Sequence, residues 1–168
     1  MSCCRKSTRP CRPILIIICL LSIFYMETAA AQPGPSQRHG NLEISGAWAR
    51  ATPPAAKTGA VYLTLVNHGG GTERLIAARS PAAAQAELHA QINEAGIMRM
   101  TAVDAVVLGP GEHLSLRPGG LHVMLIELTA PLREGAPLAL TLSFAGLGDV
   151  TVDVPVLRNA PTSREHRH

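Results

Sequence analysis

Leu138-Ala139-Leu140-Thr141-Leu142-Ser143-Phe144 is followed, past Ala145 and Gly146, by Val150-Thr151-Val152-Asp153-Val154-Pro155-Val156. Both stretches alternate apolar and small or polar residues with period two. That is the period of a strand with one face buried and the other turned outward. Working back along the chain, Leu121 to Leu128 follows Pro118-Gly119-Gly120, and Tyr62-Leu63-Thr64-Leu65-Val66 stops at Asn67-His68-Gly69-Gly70-Gly71. Further candidates at 42–50, 74–79, 86–91, 96–101, 105–108 and 112–116 complete a series of short strands separated by Gly and Pro. Such a series predicts an all-β, antiparallel β-sandwich built as one domain over residues 42–157. Pro81-Ala82-Ala83-Ala84-Gln85-Ala86 is the one stretch that reads as a helical turn.

The ends read differently. Arg5, Lys6, Arg9 and Arg12 precede the apolar run Ile14 to Met26, and Thr28-Ala29-Ala30-Ala31 follows it. The run is 13 residues, short of the roughly 20 that span a bilayer as a helix. A basic start, a short apolar stretch and a small-residue exit make a secretory signal peptide over 1–31, cleaved after Ala31. Cys19 follows Ile18, where a lipid-anchored cysteine needs a small residue before it, so an anchor is not expected. Residues 32–41 read as a flexible leader and 158–168 as a loose polar tail.

Removing the signal changes two conclusions. The 168-residue chain has 15 Lys and Arg against 12 Asp and Glu; four of the bases and one acid lie in 1–31, leaving eleven of each sign. The mature part is therefore neutral, with no basic run or aromatic platform for nucleic acid and no membrane span. All four cysteines (Cys3, Cys4, Cys11, Cys19) leave with the signal. Disulfides and every thiolate chemistry leave with them.

What remains is a grouping of His and Met. Ten residues separate His89 from Met100, twenty-one more separate Met100 from His122, and one separates His122 from Met124. On a strand His122 and Met124 share a face, their Cα atoms about 6.5–7 Å apart. Met98 and Met100 share a face likewise. Thioethers are soft, neutral donors that suit Cu(I), whereas zinc does not ordinarily take Met and calcium and magnesium want oxygen. Four neutral donors favour a monovalent ion, one per chain. Ligation needs the neutral imidazole, so affinity should fall as His89 and His122 protonate. Met98 reads as a packing residue or one lying behind the ligands. His39, His68 and His113 receive no role, and Arg50, Tyr62 and Asn67 have no chemical argument from spacing.

The spacing H-x10-M-x21-H-x-M resembles the signature of the periplasmic copper chaperones called PCuAC. The flanking blocks match as well: Ala47-Trp48-Ala49-Arg50-Ala51-Thr52-Pro53-Pro54, Gly59-Ala60-Val61-Tyr62-Leu63, Gly96-Ile97-Met98-Arg99-Met100 and Pro118 to Leu125. The resemblance covers roughly residues 42–156. It implies a cupredoxin-like, Greek-key sandwich with Cu(I) on His89, Met100, His122 and Met124. It implies a periplasmic location and delivery of copper to the copper-bearing subunit of cytochrome c oxidase or to a thiol-containing partner chaperone. Ala90 stands where some members carry a further Met. Only Glu165-His166-Arg167-His168 stands where some carry a His- and Met-rich extension, so a second copper at His166 and His168 is doubtful.

A blue-copper electron carrier would need a Cys thiolate, which the mature chain lacks. Two thioethers favour the reduced ion too strongly for an oxidase, so a binding protein and not an enzyme is expected. A copper-sequestering or copper-resistance protein would use the same ligands and stays open beside the chaperone. A metal-free adhesion domain is the third reading.

Overall fold

The computed structural model describes residues 34–94 and 97–161. The expected signal peptide over 1–31, where the four cysteines fall, and His166 and His168 lie outside them. Eleven strands follow one another: β1 (Gln37–His39), β2 (Leu42–Arg50), β3 (Thr58–Asn67), β4 (Glu73–Arg79), β5 (Ala83–Glu94), β6 (Ile97–Ala102), β7 (Val106–Leu108), β8 (His113–Leu116), β9 (His122–Leu128), β10 (Pro137–Phe144) and β11 (Gly148–Leu157). The two alternating stretches form β10 and β11, paired antiparallel from Pro137 opposite Pro155 to Phe144 opposite Gly148. Among the described residues there is no helix.

Strand order runs β6-β5-β9-β3-β2-β11-β10-β4-β7, with β1 added on β2 and β8 on β3. All pairings are antiparallel save one. At its end β11 runs parallel to β2, with Val156 opposite Ala49 and Leu157 opposite Arg50. The sheet is therefore mixed, where the sequence predicts a purely antiparallel one, and β11 serves both halves of the sandwich. Between the halves lies one aliphatic core, drawn from Leu42, Ile44, Leu63, Leu65, Leu75, Leu88, Val123, Leu125, Leu140, Leu142, Val152 and Val154 among others.

Two local expectations change. The Ala-rich stretch at 81–86 is not helical: β5 starts at Ala83 and pairs with β9 from Ala83 opposite Leu128 onward. Alanine's helix preference is worth only tenths of a kcal/mol per residue, less than a strand gains by pairing and packing. Within the expected flexible leader, residues 37–39 form β1 against Leu42–Ile44. Gly40, at φ 59°, takes the first position of the two-residue loop, the left-handed conformation such hairpins need.

Candidate metal centre

The site follows from alternation along β9. Gly119, at φ 77°, shapes the turn before it, closed by Arg117 N–H to Leu121 O at 2.7 Å and Gly120 N–H to Arg117 O at 3.1 Å. From there Val123 and Leu125 enter the core with no exposed surface, so His122 and Met124 must face outward. On neighbouring β5, His89 stands directly opposite His122, and its neighbour Leu88 is in the core. On β6, Ala102 stands opposite His89 and Met100 opposite Gln91. Residues opposite one another share a face, as do residues two apart. His89, Met100, His122 and Met124 therefore all project from the outer face of the adjacent strands β6, β5 and β9.

Distances agree with the register. The rings of His89 and His122 are 6.1 Å apart, inclined at 47°. Met100, His122 and Met124 line one groove of about 370 Å³ together with Arg50, Thr52, Pro53 and Ala56. Depth varies across the set: His122 is 3% exposed and Met100 57%. His122 is held at Nδ1 by the Gly120 carbonyl at 2.9 Å, and His89 at Nε2 by a Glu87 carboxylate oxygen at 2.9 Å.

A small aromatic cluster supports His122 from the side. Tyr62 lies 6.3 Å from the His122 ring, and Trp48 lies 4.7 Å from Tyr62; Leu157 and Ala60 complete the cluster. Trp48 reaches this face through a bulge. Between Ser45 opposite Thr64 and Trp48 opposite Tyr62, β2 carries one residue more than β3, with Gly46 at φ 59° inside it. The extra residue flips the alternation: Leu42, Ile44, Ala47 and Ala49 face the core, and Trp48 faces out. Burial pushes the Tyr62 hydroxyl above its ordinary 10, opposed by the Arg50 guanidinium.

The donors select the metal. Among the described residues no three His, Cys, Asp or Glu side chains gather as a metal-holding group. Two imidazoles and two thioethers on one face are a donor set for a soft monovalent ion.

Residues 42–156 match the family model described as "Putative lipoprotein LpqE-like". The chain belongs to the LpqE-like family. A relative from Leifsonia xyli subsp. xyli, described as "Putative lipoprotein Lxx21020", is 31% identical over 156 residues, 90% of this chain and 92% of its own. Among solved structures, the copper-bound PCuAC domain from PmoF2 superposes with a TM-score of 0.64 at 26% identity, covering 74% of this chain and 99% of that domain. The Cu(I) form of DR1885 from Deinococcus radiodurans does so with a TM-score of 0.55 at 27% identity, covering 81% and 87%. The PCuAC resemblance read from the motif and this LpqE-like membership point to one fold.

Within this LpqE-like chain, three other expectations are settled by position. Met98 is not a packing residue, since it is 53% exposed; β6 ends the sheet and all six of its residues are exposed. His68 bonds Glu43 at 2.7 Å, on β2 rather than at the site, and His113 lies exposed on β8. Tyr62, without a role from spacing, backs His122, and Asn67 fastens a turn remote from the metal face. The sequence reading missed Glu87. Its signal was available: Glu-x-His within a strand puts the carboxylate on the histidine's own face.

Proposed function

We propose that this chain is an exported Cu(I)-binding chaperone that holds one ion on His89, Met100, His122 and Met124 and passes it to another protein. One observation carries the reading. Strand register puts all four neutral donors on a single face, and three of them line a groove open to solvent. Copper binding by the PCuAC domain from PmoF2 and by DR1885 supports it. The basic, apolar and small-residue order of residues 1–31 supports export to the periplasm. No described helix is long and apolar enough to cross a membrane.

Ligand exchange suits such a site. A thioether is a weak, uncharged donor, and an exposed one can be displaced by an incoming ligand while the imidazoles still hold the ion. A copper subunit of cytochrome c oxidase or a thiol-containing chaperone is the recipient we propose. The open groove favours hand-over above sequestration, which would gain from an enclosed site.

The test is copper stoichiometry and oxidation state for residues 32–168, beside the double variant Met100→Ala, Met124→Ala. One Cu(I) per chain in the parent and weak or absent binding in the variant are expected. Unchanged binding would mean that the thioethers are not ligands. Transfer to a purified thiol chaperone or oxidase copper domain then separates delivery from storage, since a storage protein would keep its ion.

A further inference from the structure

An anion lies on the ligand face. Glu87 stands opposite Met124 in the β5–β9 register and two residues before His89, so its carboxylate projects beside the candidate ligands. Its Oε2 lies 2.9 Å from Nε2 of His89. A carboxylate oxygen only accepts, so Nε2 must carry the hydrogen, and the lone pair of the neutral ring is then at Nδ1. That Nδ1 is buried and has no hydrogen-bond partner. A buried acceptor with nothing to accept from is rare in a folded protein and calls for an explanation.

His122 is arranged the other way round. Its Nδ1 lies 2.9 Å from the Gly120 carbonyl, another group that only accepts, so its lone pair is at Nε2. The same carbonyl takes the Gln91 N–H at 3.3 Å, which ties the turn before β9 to β5 and fixes the acceptor in place. Two histidines that face each other across one pair of strands thus present different nitrogens.

We propose that Glu87 is the positioning residue that fixes His89 as an Nδ1 donor, so that Cu(I) is held by Nδ1 of His89 and Nε2 of His122. The inference rests on the copper-binding reading above and adds to it which atoms bind and what orients them. Metal-bound imidazoles characteristically donate their other N–H to a carboxylate or carbonyl, which sets the tautomer and raises the basicity of the ligating nitrogen. Here one ring has each kind of partner. Glu87 also sets a negative charge beside a cation whose four direct donors are neutral.

The tautomers can be read before any copper is added. Long-range proton–nitrogen NMR on nitrogen-15-labelled residues 32–168 should show Nε2–H for His89 and Nδ1–H for His122. On titration with Cu(I), the resonances that move most should be Nδ1 of His89 and Nε2 of His122. Glu87→Ala should release His89 into mixed tautomers and weaken Cu(I) binding about 10–100-fold, leaving the His122 tautomer and the thermal midpoint unchanged. Glu87→Gln keeps an accepting oxygen and should recover most of the affinity. An apo His89 protonated at Nδ1, a copper shift on its Nε2, or a Glu87→Ala variant with parent tautomer and affinity would each overturn the proposal. Failure of the function itself looks different: the parent takes up no Cu(I), and the copper half of the inference falls although the apo tautomers are as described.

Discussion

Val123 and Met124 are neighbours with opposite duties, and separating those duties tests the strand alternation on which the site depends. Val123 has no exposed surface and sits in the common core. Val123→Ala removes the equivalent of two methylenes, about 1.6 kcal/mol of transfer at roughly 0.8 each. The cavity left behind raises the total to about 2–3 kcal/mol. For a domain of this size that lowers the thermal midpoint by roughly 6–12 °C. Met124→Leu conserves volume at a half-buried position on the outer face, so it should cost less than about 1 kcal/mol. It also deletes a thioether. We expect Cu(I) affinity to fall at least about tenfold, a loss of roughly 1.4 kcal/mol. Thermal unfolding followed by circular dichroism measures the first quantity, and competition with a chromophoric Cu(I) chelator measures the second. The expected pattern is a crossed one: Val123→Ala lowers the midpoint and keeps copper, whereas Met124→Leu keeps the midpoint and loses copper. If Met124→Leu bound Cu(I) like the parent, the donor set would be wrong. If Val123→Ala lost copper as fully as stability, the two faces would not be independent and the register argument would fail.

Three other outcomes are expected. Hydrogen bonds from Ser36, His68 and Arg38, in that order, hold the Glu43 carboxyl at about 2 against an ordinary 4.5; a depressed carboxyl stabilises the fold above pH 4.5 and loses that contribution as pH falls toward 2. Acid titration of Glu43→Gln against the parent should therefore show the two stabilities converging over that window, and a constant gap would refute the assignment. Asn67 is buried, its amide donating to the carbonyls of Gly71, Leu108 and Gly109 and its oxygen accepting from Gly69 N–H; Asn67→Ala strands those groups and should cost about 2–4 kcal/mol at roughly 1 per bond, read from urea unfolding, with copper affinity unaltered. Gly46→Ala puts a side chain at φ 59° in the bulge, a cost of about 1–2 kcal/mol, and should weaken the near-ultraviolet dichroism of Trp48, the chain's one tryptophan.

The parts of the fold legible in the sequence are those where burial alternates without interruption. Leu42 to Arg50 is a strand over the range expected, and the 138–144 and 150–156 stretches differ from β10 and β11 by one or two residues at their ends. Where strand residues are Gly and Ala, on either face, the pattern goes silent. β3 begins at Thr58, four residues before the expected Tyr62, because Gly59 and Ala60 carry almost no side chain to alternate. β5 begins at Ala83 inside the stretch that reads as helical, for the same reason. The bulge is a subtler loss. Strict alternation from Leu42 and Ile44 would bury Trp48 in the main core, and only the pairing with β3 shows one residue of slip. The parallel contact of β11 with β2 joins residues about a hundred positions apart, a distance at which no local pattern speaks. For the site, the two-residue spacing of His122 and Met124 was readable on one strand. Bringing His89 and Met100 to the same face needed the register of three strands.

That register also grades the donors in a way that suits release. His122 lies on β9, between β5 and β3, and is buried, backed by Tyr62 and held by a turn carbonyl. Met100 lies on β6, at the end of the sheet, with a neighbour on one side only and more than half of its surface in solvent. Terminal strands with few buried contacts open at lower free energy than central ones. On the proposed reading, the anchor is therefore a rigid imidazole and the first ligand to leave is an edge thioether. An incoming donor displaces Met100 from the groove side while His122 keeps hold of the ion. Had the four ligands been drawn from central strands alone, the site would bind at least as well and give up its cargo less readily. The placement of one Met on an edge strand whose residues are all exposed is intelligible as a cost accepted for exchange.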